Sequence, residues 1–220
     1  MQELIEQERF EVEVLARLNS RRLLDPLILG GGTMLRLCHG LNRYSVDIDF
    51  WFKKGTRHAA YFKKLKQLLG GFYQVTDAHE KYFTMLFEFR STKYPRRMKI
   101  EIRKVKEEFQ YQPMIAFSKY SNVQVSLQAL TLDQMMRNKI GALLSRGEIR
   151  DCFDIEFMIR RGVKLQASRK ELQEIQKKIE SFKKLDFSVK LAALLESTDR
   201  QYYNQNGFQY LNGHIQSLLA

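Results

Sequence analysis

A run of three glycines between an apolar segment and a helical pattern constrains the fold more than any other feature of this sequence. Gly30, Gly31 and Gly32 follow the apolar residues 27–29, which are too few to form a helix. Residues 33–39 have the pattern of a short helix, with Thr33 as its candidate N-cap. The order predicts a buried strand, a tight turn and a helix. Backbone N–H groups at such a turn can approach a phosphate closely, because no side chains intervene and the helix N-terminus is positive.

Two aspartates follow the glycine turn on a predicted strand. Residues 45–52 alternate between apolar and polar side chains, as in a half-buried strand, and Asp47 and Asp49 share the polar face. Their carboxylates are expected about 6.5 Å apart, close enough to bind a shared divalent cation. The glycine run is neither a Walker A loop nor a G-x-G-x-x-G fingerprint, and Asp-x-Asp pairs are common. An ordinary turn and a solvated strand face are therefore the alternatives when each feature is read alone.

A third carboxylate lies in another strand-like run. Glu101 stands between Ile100 and Ile102, so it must point to the polar face if the isoleucines face the core. If this strand lies beside the strand of Asp47 and Asp49, three carboxylates gather on one side of the sheet, and their repulsion calls for cations. Oxygen ligands suit Mg²⁺ or Mn²⁺ better than zinc, and two such ions support phosphoryl or nucleotidyl transfer.

The remaining pattern divides the chain at about residue 126. Before this point, helical spacing covers residues 2–19 and 56–69, the second helix ending at Gly70 and Gly71. Strand-like runs cover residues 72–77, 82–90 and 98–105, and the last two are expected to pair with each other. After residue 126 helical periodicity dominates. The sequence predicts an α+β protein, with a mixed sheet and flanking helices in residues 1–125 and a helical bundle in residues 126–220.

Positive charge is concentrated in the middle of the chain. Residues 51–110 contain fifteen Lys and Arg against six Asp and Glu, whereas residues 1–50 contain six against eight. The net charge of +12 favours a polyanionic partner such as nucleic acid, although solubilising lysines on exposed helices are the alternative. The residues best placed by sequence to contact an RNA backbone are Lys53, Lys54, Arg57, Lys63, Lys64, Lys66, Arg96, Arg97 and Arg103.

Other features exclude several classes of protein. Cys38 and Cys152 stand far apart and outside any Cys/His cluster, which excludes a disulfide framework and a zinc finger. No Ser/His/Asp or Cys/His arrangement is supported by the sequence. The first ten residues are acidic and polar, and no segment approaches the length of apolar sequence that a membrane span needs. We therefore expect a cytoplasmic protein.

A second block of charged residues lies in the helical half. Lys139, Arg146 and Arg150 are spaced by seven and four residues, so one continuous helix would present three cations on one face. Such a face could balance a triphosphate. The alternative is a basic helix face held in salt bridges with Asp151 and Asp154.

Together the two blocks resemble the nucleotidyltransferase-fold toxins of the AbiEii/AbiGii type, which include the MenT toxins. The first block is similar to the family's GGT-x-L followed by R-x-S-x-D-I/L-D, and comprises Gly31-Gly32-Thr33-Met34-Leu35 and Arg43-Tyr44-Ser45-Val46-Asp47-Ile48-Asp49. The second is similar to K-x-x-A-L, R and R-D-x-x-D-L, and comprises Lys139-Ile140-Gly141-Ala142-Leu143, Arg146, Arg150-Asp151 and Asp154-Ile155.

The resemblance implies a DNA polymerase β-like nucleotidyltransferase fold with a helical partner domain, and it implies roles for particular residues. Catalytic metal ions, Mg²⁺ or Mn²⁺, are expected on Asp47 and Asp49, with Glu101 as the third carboxylate. Asp151, with Asp154 as the alternative, is expected to be the acidic residue of the final motif. The residues expected at the nucleotide are Gly31, Gly32, Thr33, Ser45, Lys139, Arg146, Arg150 and Asp154.

The resemblance also implies an activity and partners. We expect transfer of a nucleoside monophosphate from an NTP to an acceptor hydroxyl, with tRNA 3′ ends as acceptor and an antitoxin as the protein's counterpart. Two alternatives stay open at this point. One is the same reaction on a small-molecule or protein acceptor, and the other is a catalytically silent basic module that binds nucleic acid. A metal-dependent nuclease is less favoured, because it leaves the glycine run and Lys139 without a role.

Overall fold

The structure is a computed structural model, and it describes residues 1–104 and 107–220. The chain forms two compact units. The first contains Met1–Gly40 and Tyr44–Thr131, and the second contains Leu41–Arg43 and Leu132–Ala220. The division after Thr131 differs from the boundary at residue 125 that the sequence suggested. The physical reason is a strand that extends to Leu130 and keeps these residues in the sheet.

The described residues of the first unit form a seven-stranded mixed sheet. In chain order the strands are β1 (Leu27–Gly30), β2 (Asp47–Phe52), β3 (Gln74–Glu80), β4 (Thr84–Arg90), β5 (Met98–Arg103), β6 (Tyr111–Phe117) and β7 (Gln124–Leu130). Their spatial order is β3-β4-β5-β2-β1-β7-β6. The pairs β2–β5 and β1–β7 are parallel, and the other neighbours are antiparallel. The predicted pairing of β4 with β5 is confirmed; the last residue of the predicted run 98–105 lies outside the described residues.

Three helices cover one face of this sheet. They are α1 (Gln2–Ser20), α2 (Gly31–His39) and α3 (His58–Phe72). Helix α1 contacts β5 and β7, α2 contacts β2 and β6, and α3 contacts β3 and β4. Strand β4 shows why this face is the core, because Met85, Phe87 and Phe89 alternate along it and are fully buried. Phe10 of α1 packs edge-on against Phe89, and Phe62 of α3 packs against Phe87.

Two details of the helices differ from the sequence predictions. Helix α3 continues through Gly70 and Gly71 to Phe72, so the prediction that these glycines end it was wrong. The buried Leu69 within the last turns and Tyr73 directly after them anchor the segment, which offsets the helix-interior cost of about 1 kcal/mol per glycine. Thr33 is not the cap of α2, because the helix begins at Gly31 with Gly30 as its N-cap.

The second unit is helical. It contains α4 (Leu132–Arg146), α5 (Ile149–Arg160), α6 (Arg169–Ser181), a π-helical turn at Asp186–Leu191, a short 3₁₀ turn at Ala192–Leu194, α7 (Ser197–Asn206) and α8 (Gln209–Leu219). Ser168 caps α6 in a capping box with Glu171. In the described part of the chain, none of the helices combines the length and apolarity required to cross a bilayer.

Candidate active site

The glycine turn and the Asp-x-Asp strand meet directly in the structure. Strand β1 leads into α2 through Gly30, which pairs with Asp49 across the β1–β2 ladder. Gly31 has φ +70°, and a Cβ at this position would collide with the Oδ2 atom of Asp49. Only a residue without a side chain both adopts this conformation readily and leaves room for the carboxylate. The first turn of α2 is therefore packed against one of the two predicted metal ligands.

Thr33 fixes the start of the aspartate strand instead of capping its helix. Its hydroxyl donates a hydrogen bond to the backbone oxygen of Asp47 at 2.6 Å and lies 3.3 Å from Oε1 of Glu11. Thr33 and Glu11 are completely buried. Burial raises the pKa of Glu11 well above its ordinary value, and the nearby charges of Glu8 and Asp47 raise it further. Thr33 was predicted at the nucleotide, but its hydroxyl is occupied by these contacts within the protein.

Asp47, Asp49 and Glu101 lie on the same face of neighbouring strands. The parallel register places Asp49 beside Glu101 and Asp47 beside Lys99, and all four residues are half-buried. This is the face opposite the helices, because the intervening Ile48 and Ile100 are fully buried. The conditional prediction that the two acidic strands are neighbours is therefore confirmed.

The charge of Glu101 is shared with basic neighbours on its own strand. Its carboxylate lies 3.4 Å from Nζ of Lys99 and 3.8 Å from Nε of Arg103. Within residues 1–104 and 107–220, no three His, Cys, Asp or Glu side chains are grouped closely enough to hold a metal ion. The three-carboxylate cage thus stays a prediction.

The donor set nevertheless fits a magnesium ion. Mg²⁺ is commonly bound through one or two carboxylates together with substrate phosphates, and less often in a cage made entirely of protein ligands. Asp47 and Asp49 supply two hard oxygen donors on one strand face, and Asp49 lies against the phosphate-binding type of turn at Gly31. Ser45, the other residue predicted to contact the triphosphate in this block, is half-buried just before β2.

The next pair along these strands is aromatic and basic; Arg103 was selected from the sequence as a candidate RNA contact, whereas Trp51 was not. Trp51 pairs with Arg103, whose guanidinium carbon lies 5.1 Å from the centre of the indole ring. A Cβ at Gly30 would collide with the same ring. Trp51 is buried although it shares the face of Asp47 and Asp49. Its signal in the sequence was its position, two residues after Asp49 on an alternating strand.

The second block forms a buried ion-pair network inside the helical unit. Lys139 lies 2.9 Å from Oδ1 of Asp151 and 2.6 Å from Oδ2 of Asp154. Arg43 forms two hydrogen bonds of 2.6 Å with Asp154, and Arg146 forms two of 2.8 Å with Asp151. The side chain of Lys139 is only 6% exposed. The ion pairs with Asp151 and Asp154, which were the alternative to phosphate binding, are thus present in the structure. They form a buried network, whereas the sequence suggested an exposed helix face.

The electrostatics of both aspartates follow from this network. Burial raises the pKa of Asp154, but the charges of Arg43 and Lys139 outweigh it and hold the pKa below its ordinary value. Burial likewise raises the pKa of Asp151, whereas hydrogen bonding to Arg146 and the charge of Lys139 bring it below its ordinary value. Both groups are therefore carboxylates at neutral pH.

The three cations of the second block do not lie along one helix. Gly147, with φ +67°, separates α4 from α5, so Arg150 belongs to a different helix from Lys139 and Arg146. The prediction of a continuous face was conditional on one helix and does not hold. Arg146 keeps 43% of its side chain exposed while binding Asp151. Arg43 is the member that the sequence reasoning missed as a contributor to this network, although it begins the R-x-S-x-D motif.

Comparison with known proteins decides the family. Residues 13–207 match a family model described as "Nucleotidyl transferase AbiEii toxin, Type IV TA system". The chain belongs to this family. It is therefore a nucleotidyltransferase and a toxin of the type IV toxin–antitoxin class, and the resemblance drawn from the two motif blocks is confirmed.

Solved structures support the fold of this AbiEii-family chain. JHP933 from Helicobacter pylori has a TM-score of 0.53 and 19% identity, covering 95% of this chain and 94% of that chain. A candidate nucleotidyltransferase from H. pylori has a TM-score of 0.55 and 18% identity, covering 95% of this chain and 96% of that chain. At these identities the likeness concerns the fold alone, and it confirms the predicted nucleotidyltransferase fold with C-terminal helices. The chain matches none of the curated proteins with which it was compared.

Proposed function

We propose that this AbiEii-family toxin transfers a nucleoside monophosphate from an NTP to the 3′-terminal hydroxyl of an RNA, with tRNA as the physiological acceptor. In this reaction the acceptor oxygen forms a bond to the α-phosphorus and the α–β phosphoanhydride bond breaks. Pyrophosphate leaves, and the proton of the hydroxyl passes to solvent. The observation that carries the proposal is the contact between the Gly31 turn and Asp49, on the strand beside Glu101.

In this proposal the glycine turn is the binding site for the phosphates. The positive end of α2 begins at Gly31, where backbone N–H groups are not screened by a side chain. Gly32 continues the same first turn, and Ser45 precedes the aspartate strand. The triphosphate is thereby bound close to Asp49.

Asp47 and Asp49 are proposed to hold a divalent cation, Mg²⁺ or Mn²⁺, with Glu101 as a further oxygen donor. When bound, such an ion supplies charge neutralisation for the phosphates and activation of the attacking oxygen. Thr33 keeps Asp47 in place through its backbone, and Gly31 keeps space for Asp49. Positioning and electrostatics are sufficient for phosphoryl chemistry of this kind, so no covalent enzyme intermediate is needed.

We further propose that residues of the second block contact the nucleotide, as the family resemblance implies. Within the helical unit, the ammonium of Lys139 lies between the carboxylates of Asp151 and Asp154. We propose that these carboxylates and Arg43 position Lys139 and Arg146. Arg146 has the exposure that phosphate contact needs, and Arg150 remains a second candidate. Whether Asp151 or Asp154 acts at the nucleotide is decided by the loss of NTP affinity in each asparagine variant.

The choice of RNA as acceptor rests on charge and on the family's toxin activity. The basic middle of the chain belongs to the unit that carries the carboxylates, and a polyanion is attracted to such a surface. A reaction on tRNA places the protein in the cytoplasm. Membership of a type IV system implies an antitoxin counterpart.

The test is transfer of label from each of the four NTPs to total RNA in the presence of Mg²⁺ or Mn²⁺, with mapping of the labelled end. Asp47→Asn and Asp49→Asn are each expected to lower labelling at least a hundredfold, because the cation loses a charged ligand. Asp77→Asn is the matched control, since Asp77 lies on the outer strand β3 of the same sheet. It should label RNA normally.

Three results would redirect the proposal. Normal labelling by Asp47→Asn contradicts the role of the aspartates. Transfer to a small molecule or to protein, with none to RNA, favours the alternative acceptor classes. RNA binding without transfer of any of the four nucleotides favours a silent binding module.

A further inference from the structure

Beyond the Asp49–Glu101 pair, β2 and β5 carry further residues to which the proposed reaction assigns no role. On β2 and β5 the pair Asp49–Glu101 is followed on the same face by Trp51–Arg103, about 7 Å farther along the strands. Arg103 pairs on its other side with Thr84, the first residue of β4. The turn between β3 and β4 therefore lies at the same end of the sheet as the Trp51–Arg103 pair.

This turn, residues 81–83, presents two aromatic rings to solvent and is called the aromatic turn below. Tyr82 is 81% exposed and Phe83 is 70% exposed, the highest values among the large hydrophobic residues that the structure describes. Their ring centres are 4.6 Å apart with planes at 83°. Rings placed in this way add little to the core, and adjacent exposed apolar groups commonly mark an interaction surface.

The backbone of the aromatic turn is held in place by its neighbours. The N–H of Lys81 donates to the oxygen of Thr84, and the N–H of Lys104 donates to the oxygen of Phe83, both at 2.8 Å. The ammonium of Lys104 also donates to the oxygen of Lys81 at 2.8 Å. The rings are thus exposed on a fixed backbone, which reduces the entropy lost when a ligand stacks on them.

Several cations lie at the same end of the sheet as these rings. Lys81 is within the aromatic turn, Arg103 borders it, and Lys53 and Lys54 follow β2 at the same end of the sheet. Glu80 pairs with Lys104 and Glu108 pairs with Lys54, so these two ion pairs are each neutral.

We propose that the aromatic turn and Arg103, whose guanidinium lies over the buried ring of Trp51, form the binding track for the single-stranded end of the RNA acceptor. The identification of the acceptor end rests on the proposed function. Bases stack on Tyr82 and Phe83, phosphates contact Lys81 and Arg103, and the terminal hydroxyl reaches the Asp49–Glu101 pair. Interleaved aromatic and basic side chains are the pattern by which proteins bind single strands without reading sequence.

RNA fits this surface better than a protein partner does. The two rings stand nearly perpendicular, so they offer flat faces to separate bases and do not line a closed apolar pocket. Lys81 lies within the turn and Arg103 borders it, so cations are available for the phosphates of a bound strand. The track also begins at the carboxylates of the candidate site. The terminal nucleotide would therefore lie at the carboxylates and the preceding nucleotides on the aromatic turn.

The experiment measures affinity without catalysis. A short fluorescein-labelled single-stranded RNA is titrated with the full-length protein at fixed low salt and without NTP. The double variant Tyr82→Ala/Phe83→Ala is expected to bind at least tenfold more weakly, because stacking on two rings is lost. Tyr82→Phe/Phe83→Tyr should restore binding. Phe117→Ala removes an exposed ring from β6, the opposite edge of the same sheet, and should bind RNA normally.

Two further readouts separate this inference from the proposed function. Affinity for NTP and melting temperature should be unchanged in Tyr82→Ala/Phe83→Ala, since the rings are exposed and lie beyond the carboxylates. Wild-type RNA affinity in this variant overturns the inference even if RNA labelling is observed, and so does an equal loss in Phe117→Ala. A specific loss of RNA affinity supports the track even if Asp47→Asn leaves labelling intact and the proposed reaction fails.

Discussion

Gly31 carries two constraints at once, a positive φ and the close approach of the Asp49 carboxylate. The sequence identified the glycine run as a turn, but it could not show that a carboxylate from another strand fills the space of the missing Cβ. This contact depends on the pairing of Gly30 with Asp49, which is a long-range feature. The residue type was therefore predictable, whereas its partner was not.

Gly31→Ala should reduce nucleotide transfer much more than stability. An L-residue in the left-handed region costs about 1–2 kcal/mol, and the added methyl group must displace the Asp49 side chain. We expect RNA labelling to fall at least tenfold while the protein still melts cooperatively, as measured by labelling assay and circular dichroism.

Gly70→Ala is the matched control for this change. Gly70 lies within α3, and nothing lies within 4 Å of a Cβ added there. Alanine should leave labelling unchanged and stabilise the helix by up to about 1 kcal/mol. If Gly31→Ala labels RNA at the wild-type rate, the function of Asp49 does not depend on the absence of a side chain at Gly31.

At the scale of elements, the ion pairs of Arg43, Lys139 and Arg146 with two aspartates join α4, α5 and the segment Leu41–Arg43 into one unit. An isolated bridge between Arg43 and Leu195 adds a backbone contact within this unit. The segment therefore belongs energetically to the helices, although its neighbours in sequence belong to the sheet.

Asp154→Asn should destabilise the protein by about 3–5 kcal/mol at pH 7, because Arg43 and Lys139 lose a buried counter-charge. The pKa of Asp154 is lowered in the folded state, so its stabilising contribution is present above the ordinary pKa of 3.8 and is lost as the pH falls through the folded value. Urea unfolding at a series of pH values should show the difference between wild type and variant shrinking below pH 3.8.

Glu108→Gln provides a comparison for the buried network. It removes an exposed ion pair with Lys54, and such pairs contribute about 0–1 kcal/mol. If Asp154→Asn lowers the free energy of unfolding no more than Glu108→Gln does, the buried network does not contribute the stability expected of it.

Elements with clear periodicity were predictable, and elements defined by tertiary contacts were not. Alternating apolar residues revealed β4 and β5 and the pairing between them. Strand β6 was missed because it contains Pro113, which is unusual within a strand, and because its apolar side chains at Ile115 and Phe117 face solvent instead of the core. The register that puts Asp49 beside Glu101 was expected only if the strands were neighbours, which local sequence cannot establish.

At the scale of the whole molecule, the charge of +12 predicts how RNA binding responds to salt. Binding through phosphate contacts releases counterions, so affinity falls linearly on a logarithmic plot against salt concentration. Between low and physiological salt we expect the Kd for single-stranded RNA to rise at least tenfold in fluorescence titrations. The Kd for a single NTP should rise less, since fewer phosphates are bound. A salt-independent RNA affinity would argue against contact with the phosphate backbone and in favour of a small acceptor.

Because Gly31 packs against Asp49, a very small substitution is expected to inactivate this toxin. One base change that turns Gly31 into alanine is therefore expected to yield a folded product with at least tenfold lower transfer activity. Loss of activity at this position thus requires neither unfolding of the chain nor loss of its other surfaces.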